Sequence, residues 1–206
     1  MENPQRPRRR RRPILLALLM TGTALMAATG ATMSLALFTS QTAVAGNAFT
    51  TGTIILSVNP ASAIFTSAAM MPGDAVPAGV PGAVVTVSNT GTGTFRYAIT
   101  GASTDADTKH LDTQLLITIR QADAGGGCAA FTGAVLFANA VVPIGPINMV
   151  GNPAAGAQAG DRQLAGGVSE TLCFKASLPI GTLIAYQGAT STYTFTFIAE
   201  QTSNNP

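Results

Sequence analysis

Chemistry needs clustered reactive side chains, and the chain offers few. His110 is the single histidine, and it sits in the polar run Asp105-Ala106-Asp107-Thr108-Lys109-His110-Leu111-Asp112. One histidine excludes an HExxH metalloprotease motif and any zinc site that needs several imidazoles. A Ser-His-Asp arrangement could use only His110. The three carboxylates Asp105, Asp107 and Asp112 could hold a weak calcium ion through side-chain and backbone oxygens, although EF-hand spacing is absent. The simpler expectation for this run is a solvated turn. Gly91 and Gly93 resemble the start of a phosphate loop, but no helical pattern follows to present an N-terminus to a phosphate, so the pair reads as a hairpin turn. No catalytic residue and no cofactor are expected.

Cys128 and Cys173 are the only cysteines. In an oxidising compartment they pair naturally as a disulfide; the alternative is two free thiols, one of them within a strand. A zinc site built on cysteine would have to consume this pair.

The compartment follows from the N-terminus. Arg8 to Arg12 and Pro13 precede Ile14-Leu15-Leu16-Ala17-Leu18-Leu19-Met20, and no charged residue then occurs until Asp74. Such a basic segment followed by an apolar one is an export signal. The uncharged stretch is long enough to remain as a membrane anchor, but its threonines and glycines favour cleavage. The arginines stay inside and the remainder is exported. Paired arginines also permit a twin-arginine signal, without the fuller motif. Residues 1–37 are thus read as a signal peptide or membrane segment, with the cleavage point between 37 and 45. Ala43-Val44-Ala45 is the best small-residue site.

This division explains the charge. The chain carries a formal +2, but six arginines oppose only Glu2 near the N-terminus, whereas five basic and eight acidic residues occur from Phe38 onward. A nucleic-acid partner therefore loses its main support. Only 10% of residues are charged, against roughly 25% in soluble domains. With 47% hydrophobic residues, the exported part can bury a core.

The elements that would position these residues follow period 2, and no long window shows a helical stripe. Strands are expected at 53–58, 83–89, 94–100, 113–120, 134–138, 170–178 and 190–199. In the last, Tyr193, Phe195, Phe197 and Ala199 share one face and read as core. Met71-Pro72-Gly73-Asp74, Asn89-Thr90-Gly91-Thr92-Gly93, Gly125-Gly126-Gly127 and Gly166-Gly167 break the runs. The fold class is all-β, a jelly-roll-like β-sandwich over residues 53–206, preceded by the N-terminal hydrophobic helix. The Gly-, Pro- and Ala-rich stretch 139–167 is expected to be a surface excursion.

Several blocks in order resemble the TasA and camelysin family, whose members carry a SipW-dependent type of signal peptide. They are Phe38-Thr39-Ser40 followed by Gly46-Asn47-Ala48-Phe49-Thr50-Thr51-Gly52-Thr53-Ile54-Ile55-Leu56; Met71-Pro72-Gly73-Asp74; Val87-Ser88-Asn89-Thr90-Gly91-Thr92; Ser169-Glu170-Thr171-Leu172-Cys173-Phe174; Tyr186-Gln187-Gly188; and the ending Phe195-Thr196-Phe197-Ile198-Ala199-Glu200-Gln201-Thr202. Ser40 stands where the family usually has an acid, and 139–167 has no counterpart. The resemblance implies a secreted matrix or cell-surface protein that polymerises with copies of itself, and with other matrix proteins, into biofilm fibres. In that assembly residues 38–52 would add as a strand to a neighbouring subunit, with Phe38, Val44 and Phe49 filling pockets between its sheets. The same segment could instead pair as an edge strand within its own domain. The other implied partners are signal peptidase and, through the N-terminal segment only, the membrane. Camelysin-like members also carry a metalloendopeptidase label, which stands as an alternative. A monomeric adhesin or binding module is a third, although the chain has no Trp and Tyr97, Tyr186 and Tyr193 read as structural.

Overall fold

The computed structural model describes residues 50–205. The segment expected to direct export, and the three assembly residues Phe38, Val44 and Phe49, lie outside the described residues. Alternating apolar and polar side chains produce ten strands: β1 (Leu56–Asn59), β2 (Ala75–Val76), β3 (Ala83–Asn89), β4 (Phe95–Ser103), β5 (Leu116–Gln121), β6 (Val135–Val141), β7 (Ile147–Val150), β8 (Arg162–Leu164), β9 (Ser169–Ser177) and β10 (Tyr193–Gln201). Every strand pairing is antiparallel. One sheet runs β1-β3-β9-β5-β6, with β2 also paired to β9; the other runs β10-β4-β7, with β8 paired to β4. The protein is an all-β sandwich.

The period-2 pattern sets which side chains meet between the sheets. Val85, Val87, Ile117, Ile119, Leu172 and Phe174 from the first sheet are fully buried, as are Phe95 and Ile99 from the second. Each such side chain contributes about 1.5–3 kcal/mol when removed from water. Phe195 on β10 meets Phe174 on β9 edge-on, with ring centroids 5.2 Å apart. Tyr193, Phe195, Phe197 and Ala199 all pack on this core, as their alternation predicts. A polar clasp also crosses the interior: the Tyr97 hydroxyl donates to Glu170, which pairs with Arg162 at 2.5 Å. Burial first, and then the Glu170 carboxylate, raise the Tyr97 hydroxyl far above the usual phenol range.

Two expectations are corrected. The stretch 139–167 is not a mere surface excursion, because it holds β7 and β8, which line the side of β4 opposite β10. Met149, Val150 and Leu164 carry it into the core. The turn at 89–93 is not a hairpin either. It takes the chain from β3 in one sheet to β4 in the other, and Asn89 is buried inside it. The Asn89 side-chain amide donates to Gly93 O at 2.7 Å and Leu164 O at 3.1 Å, while its carbonyl oxygen accepts from Gly91 N at 3.0 Å. Residues 53–55 lie across this arch: Thr92 N and Gly93 N both donate to Thr53 O. A Cβ on residue 91 would stand 2.3 Å from that same oxygen, so only glycine fits.

Cys128 and Cys173 are joined by a disulfide. Cys173 points away from the core face of β9, and the bond ties residues 122–133 onto the outer side of the first sheet. There the Phe131 ring lies between the Arg120 guanidinium at 5.2 Å and the Lys175 ammonium at 5.4 Å, a pair of cation–π contacts. Asp123 organises the loop: its carboxylate accepts from the backbone N–H groups of Ala130, Phe131, Thr132 and Gly133 and from the Thr132 hydroxyl.

The Thr132 N–H above all holds the Asp123 carboxyl below its ordinary pKa. A depressed carboxylate adds stability that is complete above the unfolded pKa of about 4 and is lost as pH falls through the lower folded value. Between pH 5 and 2 the thermal midpoint of the native chain should therefore fall more steeply than that of D123N. Parallel slopes in paired calorimetric series would show that the loop does not depend on this charge.

Candidate functional site

Two features qualify as sites: a cluster of titratable groups in the β4–β5 connection, and an open sheet edge.

The β4–β5 connection is not the fully solvated turn expected from its polarity. Thr108 and His110 both have φ of 57°, and these bends fold the run back on itself. Asp105 and Asp112 are thereby turned inward, each side chain or residue only 4% exposed. Asp105 accepts from the His110 backbone N–H at 2.9 Å and contacts His110 Nδ1 at 2.7 Å. The imidazole itself is 64% exposed. Asp105, His110 and Asp112 each place one ligand atom within 4.8 Å of the other two.

Asp107 is the expected calcium ligand that does not join this group. Its carboxylate accepts instead from Lys109 N, Thr190 N and the Thr190 hydroxyl, the two Thr190 contacts at 2.6 and 3.0 Å, and so anchors the segment leading into β10. The cluster is one nitrogen and two carboxylates rather than three carboxylates, which disfavours calcium, an ion that takes six to eight oxygens. His110 is the residue that counting carboxylates misses. Its position five residues after Asp105 and two before Asp112 was the available signal, but only the left-handed backbone at 108 and 110 brings the three together.

The open edge belongs to the second sheet. β10 pairs with β4 over nine consecutive positions from Tyr193↔Ser103 to Gln201↔Phe95 without a register shift, and β4 is its only strand neighbour among the described residues. An antiparallel edge strand points alternate N–H and C=O groups outward, which is a template for another strand. The first sheet guards its edges differently. β1 is four residues long, and β6 meets β5 with two register irregularities, both common means of blunting an edge. β10 has none of these protections: no Pro and no Lys falls within it, and Glu200 is its only charge. Glu200 is itself drawn inward by the Arg96 guanidinium at 2.5 Å.

No family model, curated protein or solved structure matches the chain.

Proposed function

We propose that the protein is an exported structural component of an extracellular matrix or cell surface, and that it polymerises by strand donation. Residues 38–52 of one copy would add to the free edge of β10 in the next, with Phe38, Val44 and Phe49 entering pockets at that edge. The observation that carries this reading is the nine-residue edge of β10, which no other strand pairs among the described residues. The order of sequence blocks resembling TasA and camelysin-like proteins supports it, as does the N-terminal export signal. Low charge supports it too, since few like charges oppose association. Main-chain hydrogen bonds would supply much of the affinity, and the apolar side chains the register.

Deleting residues 38–47 should leave a folded monomer that cannot elongate, while the full chain forms filaments visible by electron microscopy. A synthetic peptide of residues 38–52, added in excess, should cap growth by occupying β10. If the full chain stays monomeric at high concentration by light scattering and the truncated chain unfolds, the segment is an intramolecular edge strand and the fibre reading fails.

A further inference from the structure

Asp112 poses a problem of charge. It is 4% exposed, its Oδ1 has no hydrogen-bond partner, and no donor reaches its other oxygen among the described residues. A buried carboxylate without donors is strongly destabilising unless a cation or proton accompanies it. Lys109, three residues earlier in the chain, is directed elsewhere, its ammonium donating to Gln187 O at 3.1 Å. Two more unpartnered buried polar atoms belong to the same end of the sandwich. They are Ser103 Oγ and the hydroxyl of Tyr193, residues that face each other across the β4–β10 ladder. The buried Asp112 oxygen thus lies in the Asp105, His110 and Asp112 group without a partner among the described residues.

We propose that Asp105, His110 and Asp112 bind a divalent first-row transition ion, with zinc the best fit, as a structural clasp on the β4–β5 connection. The donor set decides the ion. An imidazole with two carboxylates suits zinc and its neighbours, whereas calcium and magnesium prefer oxygen alone. A tetrahedral zinc ion with bonds of about 2.1 Å holds its ligand atoms about 3.4 Å apart. Ligand atoms already within 4.8 Å of one another reach that spacing by small side-chain rotations. Three protein ligands leave one position, and the exposed imidazole opens it to solvent. The clasp would join the connection to β10, which it already touches through the Thr104 N–H bond to Thr192 O at 2.9 Å.

The test is clean, because background ligands are scarce. Residues 1–49 contain only Glu2 among His, Cys, Asp and Glu, and both cysteines are consumed by the disulfide. The untagged full chain, stripped with a chelator, should take up one equivalent of zinc chloride by isothermal titration calorimetry. X-ray absorption at the zinc edge should show a nitrogen and oxygen shell with a single imidazole. H110A, at an exposed position, and D112N should each weaken binding by about tenfold or more. Zinc should raise the thermal midpoint of the native chain but not that of D112N, and millimolar calcium should not compete. Absence of saturable binding, equal binding by H110A, or displacement of zinc by calcium would overturn the proposal.

Discussion

Asn89→Ala should lower stability by about 3 kcal/mol or more, which for a domain of this size moves the thermal midpoint down by roughly 10 °C. The alanine leaves the Gly91 N–H and the carbonyls of Gly93 and Leu164 without the partners that the carboxamide supplies. The site is 1% exposed, so water cannot replace those bonds without opening the structure. Asn89→Asp should be no better, because it loses both amide donors and adds a buried charge. The damage should spread to the crossover, since the Asn89 backbone also bonds Val168 and Gly167. Denaturant unfolding checks the size. A shift below about 0.5 kcal/mol, the level of an ordinary surface substitution, would mean that the arch is held by its backbone alone.

Removing the disulfide should have a comparable effect by a different route. Cys128 and Cys173 are 45 residues apart in sequence, and closing a loop of that length restricts the unfolded chain by about 4 kcal/mol in the chain-entropy model. The paired C128A/C173A variant should lose about that much stability. It should also loosen residues 122–133 from the outer face of the first sheet, seen as faster amide exchange at the N–H groups that Asp123 receives. Non-reducing mass spectrometry of the native chain should find no free thiol. Two alkylatable thiols in the folded protein, or a double variant as stable as the native chain, would contradict the pairing.

The fold was legible where one face of a strand is apolar. β10 and β9 announce themselves through Phe195, Phe197, Leu172 and Phe174, because alternation is a local property. β7 and β8 were hidden because each is three or four residues long, set in a stretch rich in Pro and Gly, and made a strand only by the neighbouring β4. Arg162-Gln163-Leu164 has no strand signature of its own. The glycines at 91 and 93 did announce a reversal, but turn residues do not say whether the chain returns within its sheet or crosses to the other. In the cluster, Asp105 and Asp112 were identifiable by type. The replacement of Asp107 by His110 was not, since it depends on two backbone angles and on Thr190, a residue far along the chain that captures the Asp107 carboxylate.

The position of β9 between β3 and β5 has a consequence for the order in which the fold can close as the chain is synthesised. Ser88 must wait for Ser169, and Ile119 for Phe174, before either flank of the central strand can pair. β4 likewise waits for Gln201 to complete its ladder with β10. A polypeptide made from its N-terminus therefore has no finished sheet until nearly its whole length is available. Such long-range closures are slow compared with local ones. The two sheets therefore close late, once β9 and β10 are both available.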